Sequence, residues 1–270
     1  METAKIDNKI INYPQLRGTT ASITYPAIAE LKIDGELNYI RIEDKPYTIN
    51  KYGTMRRDWP AINDIDKELT SNGVSSAVLV SELYWDEGKL GALYDLLSKK
   101  KDNAVKLSVF DVIEINGEDM REKPLVERKE MLHAIGVGAW TPKCWVIEDK
   151  DDLEARFQEA MQMGYEGIVA KGLDSKFQHG PCSWTKLKYK DQNDCAVVLI
   201  DPVKERIEII YISPDPAIQN SVRTVHVGVK APNSYKKHIK LGDLVTIEHQ
   251  GVLASGSLRH PTLVAKKEWK

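Results

Sequence analysis

At 270 residues, with 42% of them hydrophobic and 29% charged, the chain can bury a substantial core as one large domain or two, and its composition is that of an ordinary globular protein. A net charge of −2 excludes a uniformly basic nucleic-acid binder, and no apolar run approaches the roughly 20 residues of a membrane span. The N-terminal stretch holds Lys5 and Asp7 but no apolar segment, which argues against a secretory signal; a cytoplasmic location with no membrane partner is expected.

Cys144, Cys182 and Cys195 lack the paired spacing of a zinc site and are expected to be reduced. Charge is unevenly spread, with 27 basic against 31 acidic side chains over residues 1–190 and 11 against 9 over residues 191–270. Any polyanion contact is therefore local. The basic runs that qualify are Lys99, Lys100 and Lys101, then Lys186, Lys188 and Lys190, then Lys236 and Lys237 with Lys240, and finally Lys266 and Lys267.

In chain order, Ile23 to Leu31 leads into a first strand. Glu36 to Ile42 and Tyr47 to Lys51 read as two strands joined by the polar turn Glu43 to Pro46. Pro60, Ile62, Ile65 and Leu69 recur at helical spacing, and Gly73 supplies a stop. Ala77 to Tyr84 suits a buried strand whose end carries Glu82, and Leu90, Leu93, Tyr94 and Leu97 predict a helix. A strand from Val105 to Ile115 follows, turned by Asn116 and Gly117. Pro124 opens a helix closed by Gly136, and Asp151 caps another closed by Gly164.

This alternation predicts one α+β unit over residues 1–190. Residues 191–270 change character. Alternation in Ala196 to Ile200, Ile207 to Tyr211, Thr224 to Val229 and Leu244 to Glu248 predicts a small all-β domain, an antiparallel five-stranded barrel of the OB-fold kind.

The chemistry concentrates in Glu30-Leu31-Lys32-Ile33-Asp34-Gly35. A lysine amine is normally protonated and lacks a lone pair, so Lys32 needs a desolvating pocket or a nearby cation to become a nucleophile. Asp34 is of the right type to bind a divalent metal that would supply such a charge. Gly35 would let the backbone turn sharply or approach a ligand closely. Four clusters follow in order: Glu82 at a strand end, Phe110-Asp111 inside a strand, Glu166-Gly167-Ile168-Val169-Ala170-Lys171, and Trp184-Thr185-Lys186-Leu187-Lys188 with both lysines on one face. Carboxylates for a metal, an aromatic ring for a base and paired lysines for phosphates are what nucleotidyl transfer requires.

The sequence here resembles the covalent nucleotidyltransferases, and most closely the small ATP-dependent DNA ligases. The family pattern E-x-K-x-D-G matches Glu30 to Gly35, E-G followed by two hydrophobic residues, x and K matches Glu166 to Lys171, and W-x-K-x-K matches Trp184 to Lys188. Phe110 to Asp119, Pro124 to Lys129 and Gly256 to Pro261 are also similar to ligase segments.

The resemblance implies an adenylation domain over 1–190 followed by an OB-fold domain over 191–270, and a three-step reaction. Lys32 would attack the α-phosphorus of ATP and hold AMP; AMP would pass to the 5′-phosphate of a nick in duplex DNA; the 3′-hydroxyl would then displace it. By the same resemblance Glu30, Leu31 and Lys51 belong to the nucleotide site, Glu82 contacts the ribose, and Phe110 stacks on adenine. Asp34 and Glu166 serve Mg2+, with Mn2+ an alternative, and Lys171, Lys186 and Lys188 hold phosphates. Lys266, Lys267 and Lys270 would orient the pyrophosphate, while Lys99, Lys100, Lys236, Lys237 and Arg259 are candidates for gripping DNA. With 31 residues ahead of Lys32, no separate helical DNA-binding domain is expected there, and a monomer is expected.

The chain departs from the pattern at several points. Leu37 stands where an arginine is usual, Lys51 where another is, and no arginine precedes Trp184 in Gly180 to Ser183. In the last motif the expected charged positions fall on Ala265, Lys267 and Trp269. Some RNA ligases share the leucine, so an RNA ligase, a capping-type guanylyltransferase and a non-catalytic barrel that binds nucleic acid remain alternatives.

Overall fold

A computed structural model describes residues 14–17, 23–85, 104–201, 206–212, 222–228, 239–252 and 257–267. The predicted helix around Leu90 to Leu97 and the candidate residues Lys99, Lys100, Lys236, Lys237 and Lys270 lie outside the described residues. Cα packing divides the chain into two compact units, residues 1–187 and residues 188–270.

In the first unit β1 (Pro14–Arg17), β2 (Ala27–Leu31), β9 (Cys144–Ile147), β10 (Gly167–Gly172) and β11 (Gly180–Lys188) form one sheet in the order β1-β11-β10-β2-β9. A second sheet runs β5 (Met55–Arg57), β4 (Tyr47–Asn50), β3 (Glu36–Ile42), β6 (Ala77–Tyr84), β7 (Lys106–Ile115) and β8 (Glu118–Asp119). The two sheets face each other across Tyr39, Ile49, Val80, Val169, Phe177 and Trp184, all buried. Helices cover the outer faces. Helices α1 (Pro60–Ser71) and α2 (Leu125–Ala134) pack on the second sheet, and α3 (Lys150–Gln162) packs on the first.

Local chemistry explains the elements. Pro60 occupies the first turn of α1, where a missing N–H costs nothing, and Ile62, Ile65 and Leu69 form its buried stripe. Each such side chain contributes about 1.5–3 kcal/mol by leaving water. Asn116 (φ 48°) and Gly117 (φ 82°) both adopt left-handed backbone, the conformation a two-residue hairpin turn between β7 and β8 demands. The cap of α3 differs from expectation. Asp149, not Asp151, accepts the N–H of Asp152 at 2.9 Å, and Asp151 lies in the first turn, because the helix already starts at Lys150.

In the second unit β12 (Asp191–Asp201), β13 (Arg206–Ile212), β14 (Val222–Gly228), β15 (Leu244–His249) and β16 (Thr262–Lys267) form an antiparallel sheet in the order β14-β13-β12-β15-β16. It buries Cys195, Val197, Ile207, Ile209, Val245, Ile247 and Leu263. Among the described residues no ladder joins β14 to β16, so the sheet is open where a closed barrel was expected. No helix among the described residues is long and apolar enough to cross a membrane.

Cysteine reactivity follows from this packing. All three thiols are free; Cys144 is exposed, and Cys182 and Cys195 are buried, with burial pushing the Cys195 thiol up to about 12. Iodoacetamide at about pH 8 is expected to modify Cys144 in native protein and to reach the other two only after denaturation, as read by peptide mass spectrometry.

Candidate active site

The ladder between β2 and β10 builds the centre of the site. The strands run antiparallel with Leu31 opposite Ile168 and Ala29 opposite Ala170, and the Lys32 N–H donates to the Gly167 carbonyl at 2.9 Å. Alternation along β2 puts Glu30 and Lys32 on one face. Two charge pairs bridge the same two strands. Lys32 Nζ lies 2.7 Å from Glu166 Oε2, and Lys171 Nζ lies 2.5 Å from Glu30 Oε2.

A cavity sits over this face, lined by Glu30, Leu31, Lys32, Ile33, Glu82, Ser108, Phe110, Val169, Lys171 and Trp184, among others. The Lys171 amine lies 4.8 Å from the Phe110 ring centre and 4.3 Å from that of Trp184, so two aromatic faces hold the cation inside the wall. The Trp184 indole N–H donates to Ser175 Oγ at 3.1 Å. Burial drives the Lys171 amine below the usual lysine range, with Lys129 pushing the same way and Glu30 opposing. Glu30 moves down despite its burial, because Lys129 and Lys171 both stabilise the carboxylate.

On the other wall Glu82 stands near Lys32, Asp34 and Glu166. Burial pushes its carboxyl up to about 8; Glu166 and Asp34 add to the shift and Lys32 opposes it. Asp34 is buried. Among the described residues no group of three or more His, Cys, Asp or Glu is already arranged to hold a metal ion.

Gly35 has a structural role that the sequence did not disclose. A Cβ built on it would fall 2.2 Å from the Leu83 carbonyl oxygen and 2.9 Å from Glu82 Cγ, so the glycine lets the motif lie against β6. Gly35→Ala is expected to cost about 2 kcal/mol, measured by denaturant unfolding, because the near atom is backbone that cannot swing away.

Other predicted residues fall elsewhere. Lys51 is exposed at the β4–β5 turn, with its amine 4.9 Å from the Tyr52 ring centre, and it does not line the cavity. Lys186 and Lys188 are half-buried near the end of β11 and do not line it either. In the second unit Lys266 pairs with Asp243 at 2.6 Å, Lys267 pairs with Asp194, and Arg259 is half-buried with its N–H on the Gly251 carbonyl.

Residues beneath the cavity carry weight that the sequence reading missed. Arg128 and Asp111 are both fully buried and paired at 2.7 Å and 3.0 Å, and Arg128 also donates to the carbonyls of Lys123 and Ser175. Beside them, Lys129 meets Glu30. The sequence signal for Arg128 and Lys129 is the stretch Pro124 to Lys129, similar to ligase segments but without an assigned role, while Asp111 belongs to the Phe110-Asp111 cluster. At the opposite edge Arg56 binds Glu36, with Asn38 and Asn50 completing a buried polar cluster beside Gly35.

Comparison with known proteins agrees with this geometry. A DNA ligase of Pyrobaculum islandicum is 26% identical over 198 residues, which cover 66% of this chain and 32% of that protein, so the chain spans about a third of the length of the curated relatives it matches. Among solved structures, one from a study of DNA binding with a minimal scaffold by Lig E DNA ligases matches with a TM-score of 0.70 at 15% identity, over 95% of this chain and 99% of that one. Another, Pmar-Lig_Pre, matches with a TM-score of 0.73 at 19% identity, over 96% of this chain and 68% of that one. Both likenesses show the fold. Residues 13–190 match the model of the ATP-dependent DNA ligase domain; with more than half of its length so matched, the chain belongs to that family.

Proposed function

We propose that the chain is an ATP-dependent polynucleotide ligase that joins a 5′-phosphate to a 3′-hydroxyl at nicks in duplex DNA through a lysyl-AMP intermediate. One observation carries the reading: the Lys32 amine, 2.7 Å from Glu166, lies on the wall of a cavity that also presents the Phe110 ring, Glu82 and the buried Lys171. Residues 1–190 would be the adenylation domain. Residues 191–270 would be an OB-type domain, a reading supported by the antiparallel sheet β14-β13-β12-β15-β16.

In the first step the Lys32 Nζ forms a bond to the α-phosphorus of ATP as the bond to pyrophosphate breaks, the amine's protons leave to solvent, and the Glu166 carboxylate orients the Nζ it already contacts. Phe110 offers its face to the base, Glu82 the ribose contact, and Lys171, Lys186 and Lys188 positive charge for the phosphates. Lys51, on its exposed turn, would meet phosphate only from the nucleic-acid side.

A divalent cation, Mg2+ or Mn2+, suits the donor set. Asp34 and Glu166 carry hard oxygen donors near Glu82, whose carboxyl is pushed up chiefly by burial, with these two carboxylates adding to the shift. Asp34 and Glu166 would hold the ion, which would neutralise charge that builds on the phosphate oxygens.

Incubating the protein with α-labelled ATP or GTP and magnesium tests the reading. Label from ATP should survive denaturation, and EDTA should prevent it. Label from GTP alone would point to a capping enzyme, and no label to a module that only binds nucleic acid. A sealing assay on DNA, RNA and hybrid nicks then settles the strand type.

A further inference from the structure

Lys129, on α2, joins the two strands that carry the proposed nucleotide site without lining the cavity itself. Its amine pairs with Glu30 Oε1 on β2 and donates at 2.8 Å to the carbonyl of Phe110 on β7, and its side chain is only 12% exposed. The second oxygen of Glu30 takes Lys171, so one buried carboxylate is held between two cations. Next to Lys129, Arg128 fastens the same helix to Asp111, the neighbour of Phe110. The helix is thereby fastened to β7, and Lys129 extends that link across to β2.

We infer that Lys129 is a positioning residue for base recognition: it fixes the orientation of the Glu30 carboxylate relative to the Phe110 ring and so sets which purine the cavity accepts. The inference rests on the proposed nucleotide site. The chemistry is simple. Glu30 is an acceptor on the cavity wall, adenine carries an exocyclic amine that donates, and guanine carries a carbonyl at the same ring position that does not. An acceptor discriminates between them only while its direction is fixed. With Lys129 gone, Glu30 keeps a single cation, Lys171, and turns toward it; the Phe110 carbonyl is left without its donor. Preorganised groups beneath a site characteristically act this way, through the residues that touch the ligand.

The test compares wild type, Lys129→Met and Lys129→Arg in two measurements: calorimetric affinity for a non-cleavable ATP analogue and its GTP counterpart, and the rate of lysyl-AMP formation against ATP concentration. Lys129→Met is expected to weaken binding of the ATP analogue about tenfold or more and to raise KM for ATP in parallel. It should also narrow the preference over the GTP analogue, while kcat changes far less. Lys129→Arg, which keeps the charge and donors for both acceptors, should restore most of the affinity and the preference.

A thermal melt separates this from a loss of fold, since a merely structural lysine would lower the melting temperature without moving the ATP-to-GTP ratio of the folded fraction. Unchanged affinity and preference in Lys129→Met, with label still forming, would overturn the inference and leave the ligase reading intact. Lys129-dependent adenine binding without any label in wild type would overturn the ligase reading and keep the inference. No nucleotide binding by wild type would overturn both.

Discussion

Lys32→Ala should abolish covalent labelling by ATP, lowering it by at least about 10⁴-fold, since no other group takes over a missing nucleophile. The variant should also fail to seal an ordinary nick. It should still join a nick whose 5′-phosphate already carries AMP, because that step needs only the 3′-hydroxyl as attacking group and the phosphate-binding surface. The fold should survive the change: the Lys32 side chain keeps 18% of its surface exposed, so its removal opens no closed void. The Glu166 carboxylate, 4% exposed, loses its cation, and a modest drop in melting temperature is expected from that alone. Persistent label on the peptide holding position 32 in this variant would refute the assignment.

Arg128→Met is expected to be the most destabilising single change in the first unit, by about 3–5 kcal/mol in denaturant unfolding. Arg128 and Asp111 are both 0% exposed. Taking away the guanidinium leaves an interior carboxylate without its counter-charge, and it also removes the donors to the Lys123 and Ser175 carbonyls. Adding Asp111→Asn to Arg128→Met should recover part of the loss, because the orphaned charge disappears while the shape is kept. A double variant no more stable than Arg128→Met would mean that the cost lies in the lost carbonyl contacts and not in the charge.

How much of this was readable in advance depended on the distance over which each feature is decided. Strands Glu36–Ile42 and Ala77–Tyr84 and the first helix were legible because apolar spacing and turn-forming residues fix them locally. The cap of α3 was not, since several aspartates stand in a row and the direction in which the chain leaves β9 selects among them. The motif residues were recognisable as a set, but their pairing was hidden. Lys32 and Glu166 are 134 positions apart, and only the β2–β10 register brings them together. Lys129 reads in one dimension as an ordinary solvent-facing helix lysine, because its acceptor, Glu30, belongs to a distant strand. Gly35 reads in sequence as a sharp turn or a close approach to a ligand, whereas the group it approaches is the carbonyl of Leu83.

The antiparallel alignment of β2 with β10 has one more consequence. Since Glu30 and Lys171 are diagonal partners on the ladder, and Lys32 and Glu166 pair just beyond its end, neither short segment tolerates a gained or lost residue. A one-position slip in β2 would turn Glu30 and Lys32 to the opposite side of the sheet together, and one in β10 would turn Lys171 away from Glu30. Natural variation in chain length should therefore gather in the connecting loops, and the interval from Glu30 to Lys32, like that from Glu166 to Lys171, should behave as a fixed ruler.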